Sequence, residues 1–294
     1  MRQIAGQCLV TEVAEDTYLP TAFAQALASD LALPSCYGSF SQDLQQPCLA
    51  NFPAFAAESG YQNPSDVNNC NFQHWKGSGA NQFAYIGGNP VLSKHFNDAM
   101  ECHSRYNLTA WVEVYPTDSI VADQKDGRAL VVDIGGGKGH DLEKFRAKHS
   151  AVPAGSLILH DLPATLDGVT PTKPACVVYP HDFFQPEPVT GAKVYFMHNV
   201  LHDWPDDAAS SILKNVVGAM EKGYSKLLIH ESLVSARKPL ARVTTSDIVM
   251  MAVVAAKERT EAEWRDLITG AGLSVVKIWR PAEAVESVIE AELA

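Results

Sequence analysis

The sequence predicts a doubly wound α/β domain preceded by a mostly helical region. From Arg128 onward, short runs rich in apolar and β-branched residues alternate with helical segments. Each run is continuously apolar, which is typical of strands covered on both faces of a parallel sheet. Before about residue 120 the pattern favours helices instead. We therefore expect two parts, residues 1–118 and residues 119–294.

The bulk composition excludes several classes of protein. The chain has 294 residues, of which 46% are hydrophobic, and this is enough to fill a sizeable core. Its net charge of −11, without any block of like charge, argues against a nucleic-acid binder. No apolar run approaches the about 20 residues that span a bilayer. Six scattered cysteines without a C-x-x-C pair, and no signal-peptide pattern, predict a cytoplasmic protein with reduced thiols and no metal site.

The helical region begins with a small antiparallel ribbon, because CLVTEV and TYLPT flank a turn at residues 14–16. Thr21 then caps a helix with the sequence AFAQALASDLAL. Asn89-Pro90 opens a longer helix, predicted to continue through VLSKHFNDAMECHSRYNLTAWVEVY. Between them, the polar residues 62–89 predict short helices mixed with loops.

The α/β region contains six strand candidates and three helix candidates. The strands are ALVVDIG, SLILHDL, ACVVYPHD, KVYFMHNVL, SKLLIHESL and LSVVKIW, and the helices are DLEKFRAKH, DDAASSILKNVVGAM and TEAEWRDLITGAG. Strands near Leu273 to Trp279 and Val285 to Glu290 have no helix between them, which predicts an antiparallel hairpin at the sheet edge. In such sheets ligands bind beyond the carboxyl ends of the strands.

A glycine turn follows the first strand of the predicted sheet, at Gly135, Gly136, Gly137 and Gly139. Glycines permit a tight turn and close approach of a ligand, and the N-terminus of the next helix offers free N–H groups. The turn predicts a nucleotide-like ligand, the alternative being a tight turn without one. The order G-G-G-x-G after Asp133 differs from the dinucleotide pattern G-x-G-x-x-G and fits S-adenosylmethionine (SAM) better.

The ends of the next two strands carry candidate cofactor contacts. Asp161 ends LILHD and is placed to accept hydrogen bonds from ribose hydroxyls. Asp182 and Phe183 follow the third strand, where a carboxylate and an aromatic face suit an adenine amino group and ring. Asp182 could instead cap a turn.

The fourth strand leads into His202, whose side chain has the pKa range of a general base at neutral pH. The adjacent Asp203 either orients the imidazole or a substrate, or caps the helix that begins near Pro205. Glu231, at the end of the next strand, and Glu258 could each hold the imidazole in one tautomer. Glu258 could equally be an exposed charge between Lys257 and Arg259.

Six motifs, in this order and at these intervals, carry a family resemblance: VVDIGGGKG, HDLP, HDFF, FMHNVLHDW, IHES and KERT. Over nearly its whole length the chain resembles the class I SAM-dependent O-methyltransferases of the plant caffeate type and their fungal secondary-metabolite relatives. The resemblance implies a Rossmann-like SAM-binding sheet in which the glycine turn, Asp161, Asp182 and Phe183 hold SAM. It implies that His202 is the catalytic base and that Glu231 and Glu258 flank it.

The resemblance also implies residues of the acceptor pocket and shows one difference from the family at the cofactor site. Met100 and His103 fall in the long helix that lines the acceptor pocket in relatives, although Met100 could equally belong to the core. Met250 and Met251 either line the same pocket or belong to the hydrophobic core. His198 stands where the family usually has Arg or Lys, a cation that helps to position SAM.

The function implied is O-methylation of a phenolic or enolic hydroxyl of a small aromatic or polyketide-like metabolite. Two alternatives remain open: a SAM-binding pericyclase or dehydratase on the same fold, and a non-catalytic SAM-binding partner subunit. Family members carry an N-terminal helical, winged-helix dimerisation domain, whereas this sequence begins at its β-ribbon. We therefore expect residues 1–118 to hold a remnant of that domain with the acceptor-pocket helices, and a homodimer or partner-subunit contact that is weakened.

Overall fold

The computed structural model describes residues 1–30, 32–77, 79–105, 109–125, 127–167, 176–281 and 285–294. Within these ranges the strands form a two-stranded ribbon and a seven-stranded sheet. The strands are β1 Val10–Ala14, β2 Thr17–Pro20, β3 Val131–Ile134, β4 Leu157–Asp161, β5 Cys176–Pro180, β6 Val194–His198, β7 Lys226–Ser232, β8 Leu273–Trp279 and β9 Glu286–Leu293.

The central sheet has the strand order β5-β4-β3-β6-β7-β9-β8. Strands β3 to β7 are mutually parallel, β9 runs antiparallel to β7, and β8 pairs antiparallel with β9 at the edge. The expected α/β class and the hairpin at the sheet edge are confirmed. The order reverses between β3 and β6, and a crevice at that switch point is where ligands bind in open α/β sheets.

The helices supply the layers around this sheet and a separate helical part. They are α1 Arg2–Gly6, α2 Ala22–Ser29, α3 Ala32–Pro34, α4 Gln46–Glu58, α5 Asn71–Lys76, α6 Gln82–Gly87, α7 Pro90–Arg105, α8 Trp111–Val114, α9 Asp118–Ala122, α10 His140–Lys148, α11 Pro163–Leu166, α12 Asp206–Val217, α13 Ala241–Val254 and α14 Glu261–Gly270. A π-helical stretch, Ser35–Gln45, joins α3 to α4. Among the described residues, no helix is both long and apolar enough to cross a membrane.

The two faces of the sheet belong to different hydrophobic clusters. On β6, Tyr195 and Met197 pack with residues of α12 and α14, whereas Val194 and Phe196 pack with residues of α8 and α10. This alternation follows from the period of two along a strand. A third cluster joins α4, α5 and α7 to α13.

The helix predicted from Asn89-Pro90 to Tyr115 is wrong in its second half. The Asn89 carboxamide oxygen does cap the start, accepting a hydrogen bond from the Val91 N–H at 3.0 Å. However, α7 ends at Arg105, residues 106–108 lie outside the described residues, and Ala110 has extended backbone before α8. The apolar pattern continues beyond α7 because the fully buried Trp111 belongs to the sheet core, where it stacks on Phe145 with ring centroids 5.5 Å apart.

Other helices also differ from the sequence prediction. Thr21 caps α2 as predicted, but that helix ends at Ser29 because Asp30 has extended backbone, and Leu31 lies outside the described residues. Helices α4 and α13 were not predicted from the sequence. The first contains Pro53, and the second is dominated by a β-branched and methionine-rich run without a polar face that would reveal its period.

Candidate functional site

A cavity of about 530 Å³ lies at the carboxyl ends of β3, β4 and β6 and is roofed by α6 and α7. Its size falls in the range of about 300–1,000 Å³ that is usual for small-molecule sites. The predicted residues that line it are Gly135, Gly136, Gly137, Asp161, Asp182, Phe183, His198, Asp203, Met100 and His103. Of the other predicted residues, His202, Glu231, Glu258, Met250 and Met251 do not belong to the lining described for this cavity.

The glycine turn brings backbone close to the cavity. Gly135 has a φ of 71°, and a Cβ on Gly136 would lie 2.4 Å from Oδ2 of the buried Asp133. A side chain at Gly136 therefore requires the turn to move. That Asp133 oxygen has no hydrogen-bond partner among the described residues, and burial raises the pKa of the Asp133 carboxyl well above its ordinary value.

The carboxylates that end β4 and β5 face the same cavity. Asp161 accepts hydrogen bonds from the N–H groups of Gly137 at 2.9 Å and Leu162 at 2.7 Å, and burial raises its pKa. Asp182 accepts one from the Phe184 N–H at 3.0 Å, so it closes a turn and lines the cavity at once. The two sequence interpretations of Asp182 are therefore compatible.

The turn that carries His202 is held by two buried side chains of opposite charge. One oxygen of Glu231 accepts hydrogen bonds from the N–H groups of Val200 at 3.0 Å, Leu201 at 2.9 Å and His202 at 3.4 Å. Arg259, which is fully buried, donates to the carbonyls of Leu201 and Trp204, each at 2.8 Å. Together they satisfy both backbone donors and acceptors of this turn.

Three carboxylates surround the His202 imidazole. Its Nδ1 lies 2.9 Å from a Glu258 oxygen and 3.8 Å from Glu231, and its Nε2 lies 3.6 Å from Asp203. The side chain of His202 is 12% exposed. Asp203 lines the cavity, so its carboxylate lies beside Nε2 at the cavity wall.

The carboxylates set the pKa of His202. Burial alone acts to lower it, but the charges of Glu231, Asp203 and Glu258 raise it to about 10. Burial raises the pKa of Glu231 to about 7 and that of Asp203 to about 6. Glu258 is also buried, but its hydrogen bond to His202 holds its pKa below the usual value. Glu258 and His202 therefore form a buried ion pair at neutral pH.

The structure decides two alternatives that the sequence left open. Asp203 does not cap α12, because the residue preceding that helix is Pro205 and no side chain caps it. Glu258 is not an exposed charge: it is 4% exposed and also accepts a hydrogen bond from the Ser246 hydroxyl at 2.6 Å. Sequence reasoning missed the structural role of Arg259, whose only signal was its place in the KERT motif.

His198 contacts acidic side chains from two other elements. Its Nδ1 lies 2.6 Å from Asp141 of α10, and its Nε2 lies 3.3 Å from Glu286 of β9. Burial acts to lower the pKa of His198, but Asp141 and Glu286 raise it well above the ordinary value. His103 of α7 reaches the other oxygen of Glu286 at 3.3 Å.

The methionines occupy different surroundings. Met100 lines the cavity from α7 and is 38% exposed. Met250 is partly buried against the cluster of α4, α5 and α13, which fits the hydrophobic-core alternative for this residue. The structure therefore brings Met100 and His103 to the cavity and does not bring Met250 and Met251 there.

Comparisons with known sequences give a consistent result. The family model for the O-methyltransferase domain matches residues 62–274. The O-methyltransferase mfmE of Annulohypoxylon moriforme is 37% identical over 297 residues, covering 100% of this chain and 72% of that protein. The O-methyltransferase asqD of Emericella nidulans is 35% identical over 296 residues, covering 99% and 75%.

Solved structures show the same fold. The structure of LepI in complex with SAM is similar with a TM-score of 0.90 and 28% identity, over 100% of this chain and 75% of that one. A structure described as a pericyclic reaction enzyme gives the same TM-score, identity and coverage. OxaC in complex with S-adenosylhomocysteine (SAH) and oxaline has a TM-score of 0.89 and 26% identity, over 100% and 74%.

Proposed function

Since the chain belongs to the O-methyltransferase domain family and is a SAM-dependent O-methyltransferase, we propose that it methylates a phenolic or enolic hydroxyl of a small aromatic or polyketide-like metabolite, with His202 as the general base. The observation that carries the proposal is the buried imidazole held by Glu258 at 2.9 Å, one residue from the Asp203 carboxylate in the cavity wall. A histidine fixed in this way is oriented for proton transfer.

The residues of the cavity fit SAM. The contacts with Asp133 and Leu159 that a Cβ on Gly136 would make leave no room for a side chain there, so the turn presents bare backbone to the cavity, and Asp161 lines the same cavity and can accept ribose hydroxyls. Asp182 and Phe183 supply a carboxylate and an aromatic face for an adenine. The other carboxylates of the lining suit a ligand that carries positive charge. When bound, SAM supplies an electrophilic methyl group on a sulfonium.

The chain's own contribution is to position the acceptor and to remove its proton. Holding the reactants in line can lower a barrier by about 7–11 kcal/mol. A phenol has a pKa of about 10, which is close to the pKa of about 10 for His202. Transfer of the hydroxyl proton to Nε2 of the neutral imidazole is therefore nearly balanced in free energy, and this neutral form of His202 becomes more abundant as pH rises toward about 10. Glu258 and Glu231 stabilise the imidazolium that results, and Asp203 accepts a hydrogen bond from it or from the acceptor.

The substitution His202→Ala tests this role. Positioning survives, so SAM binding measured by calorimetry should be unchanged, while methylation of a weakly acidic phenol should fall by about 10²–10⁴-fold. The deficit should shrink sharply for an acceptor that is already ionised at the assay pH. An equal deficit across acceptors of very different acidity would show that His202 is structural and is not a base.

A second candidate function is a pericyclic or dehydration reaction in which SAM is bound but not consumed. The likeness to the pericyclic reaction enzyme supports it. The two functions differ in one product, because methyl transfer releases SAH and the other reactions release none. Incubation with labelled SAM and a panel of hydroxylated aromatics separates them, and acceptor turnover without SAH would favour the second. SAM binding with no turnover of any acceptor would instead indicate a non-catalytic partner subunit.

We also propose that residues 1–118 form a helical unit that contributes acceptor-pocket helices and a remnant dimerisation surface, and that residues 119–294 form the SAM-binding unit. The cavity supports the first part of this proposal, because its roof comes from α6 and α7 and its floor from the central sheet. Association with a second copy or a partner subunit is an extension of it.

A further inference from the structure

Three metal-ligating side chains meet on one face of the sheet beside the cavity. His198 ends β6, His230 lies opposite it on β7, and Glu286 begins β9, the next strand in the sheet. All three share the alternation that places Phe196, Leu228 and Val288 in the cluster under α8 and α10. Their side chains therefore converge because neighbouring strands present the same face.

The ligand atoms have the spacing of a metal site. One atom from each of the three side chains lies within 4.8 Å of the others. A Glu286 oxygen lies 3.3 Å from Nε2 of His198 and 3.9 Å from Nε2 of His230. Tetrahedral Zn²⁺ with bonds of about 2.0–2.2 Å places its ligand atoms about 3.3–3.6 Å apart. The two distances from the Glu286 oxygen, 3.3 Å and 3.9 Å, lie at and above that range, so Nε2 of His230 must move closer for all three atoms to bind one ion.

The surroundings resemble the outer shell of a metal-bound histidine. Asp141 lies 2.6 Å from Nδ1 of His198 and orients the ring with its Nε2 toward the cluster, where a bound metal ion displaces the Nε2 proton to solvent. The second oxygen of Glu286 accepts a hydrogen bond from the Asn199 amide at 3.1 Å, which holds the carboxylate in place. Such carboxylate–histidine–metal arrangements orient the ligands of known sites.

His230 supplies the independent observation. Its side chain is completely buried, and neither of its ring nitrogens has a hydrogen-bond partner among the described residues. A buried imidazole without partners is costly, and a metal ion at Nε2 removes part of that cost. The negative charges of Glu286 and Asp141 balance the two positive charges of a divalent ion.

We propose that His198, His230 and Glu286 bind a divalent transition-metal ion, with Zn²⁺ as the first candidate. Two imidazoles and one carboxylate are the ligand set that such ions prefer over Mg²⁺ or Ca²⁺. The ion enters from the cavity, because His198 and Asp141 line its wall.

The test is a direct measurement of metal binding by the full chain. After treatment with a chelator and dialysis, the protein is titrated with Co²⁺, whose visible absorption reports tetrahedral histidine coordination, and the bound Co²⁺ is then displaced with Zn²⁺. We expect one ion per chain with a Kd tighter than about 1 µM. Asp141→Asn should weaken binding by about 10–100-fold, and His230→Asn and Glu286→Gln should abolish the absorption.

His202→Asn is the matched control, because His202, Glu231 and Glu258 form the other three-ligand cluster among the described residues. This variant should bind Co²⁺ like the unmodified protein. Loss of the absorption in His202→Asn, or its persistence in His230→Asn, would overturn the assignment. So would the absence of a stoichiometric ion in the unmodified protein.

A measurement on the unmodified protein covers the case in which the buried variants fail to fold. The chain has ten histidines, and the ring nitrogens of ¹⁵N-labelled histidine report each one by NMR. Added Zn²⁺ should shift two of these rings strongly, and displacement of the bound metal with a chelator should reverse the change. Shifts of one ring, or of none, would overturn the proposal. Neither readout depends on methyl transfer, so the proposed function can fail without affecting this result.

Discussion

Replacement of Glu258 by Gln perturbs the base while preserving its surroundings. The Glu258 carboxylate contacts Nδ1 of His202 at 2.9 Å and accepts the Ser246 hydroxyl at 2.6 Å. A carboxamide of the same shape still accepts the hydrogen bond from Ser246, but it carries no charge for the imidazolium. Glu258→Gln therefore removes one component of the field that raises the pKa of His202.

The expected size of the effect follows from the geometry. A hydrogen bond to a charged group contributes about 1.5–3 kcal/mol, and one pKa unit corresponds to about 1.36 kcal/mol. The pKa of His202, which is about 10 in the native protein, should therefore fall by about 1–2 units. Only the neutral imidazole can accept a proton, so activity rises with pH through this pKa. In the variant that rise moves to lower pH by the same amount.

The assay is the initial rate of SAH formation as a function of pH, with the same phenolic acceptor for both proteins, so that ionisation of the acceptor near its pKa of about 10 contributes equally to both profiles. We expect the rising limb of kcat/KM to shift to lower pH in Glu258→Gln, while the plateau falls because the ring is held less firmly. The plateau loss should be smaller than that of His202→Ala. Glu261→Gln is the control, since Glu261 is half-exposed and pairs with Arg265 and Arg280. The rising limb of kcat/KM should stay at the same pH in Glu261→Gln.

A lower plateau with an unshifted limb in Glu258→Gln would refute this reasoning. It would mean that Glu258 supports the fold near His202 without setting the proton affinity of the ring.

The raised pKa of His202 also makes the stability of the fold depend on pH. A histidine whose pKa is raised in the folded state contributes its full stabilisation below the unfolded pKa of about 6.5. That contribution is then lost as pH rises toward about 10, and Glu258→Gln should make the pH dependence of unfolding shallower across this window.

Four further predictions concern the cofactor, the turn and assembly. Gly136→Ala places a Cβ 2.4 Å from Asp133, so it should weaken SAM binding in calorimetry and lower the melting temperature; an unchanged affinity would contradict the close approach. Asp161→Ala should weaken SAM binding by about 1.5–3 kcal/mol, and binding of NAD in place of SAM would refute the assignment. Arg259→Met leaves two buried carbonyls unpaired and should destabilise the fold by about 2–6 kcal/mol in urea unfolding, whereas a change near zero would show that the turn holds itself. Because Phe23 and other apolar side chains near the ribbon are exposed, sedimentation should show concentration-dependent association, and a monomer at every concentration would count against the proposed dimerisation surface of residues 1–118.

Local features of this chain followed from local sequence. The parallel strands of the sheet were predictable because each is a short continuous apolar run, and the caps at Thr21 and Asn89 because a side-chain oxygen bonds to N–H groups two or three residues away. The order of motifs from the glycine turn to KERT likewise identified the family that the comparisons show.

A continuous apolar pattern in the sequence was misleading where its residues belong to two separate helices. The apolar positions after α7 predicted one uninterrupted helix, yet Trp111 is drawn into the core against Phe145 of α10. Helix α13 was missed because its apolar residues are spread around the helix, including the exposed Ile248, and so hide the period of 3.6 residues.

The sequence by itself determined the α/β class, the glycine turn and the set of residue types at the strand ends. Only the tertiary structure decided that Glu258 is buried against His202, 56 residues earlier in the chain, and that Arg259 clamps the same turn. It alone brought His198, His230 and Glu286 to one face of three adjacent strands. The physical reason is one of range: caps and periodicity are set by interactions within a few residues, whereas these contacts depend on strand order and on the packing of distant helices, which no short window of sequence contains.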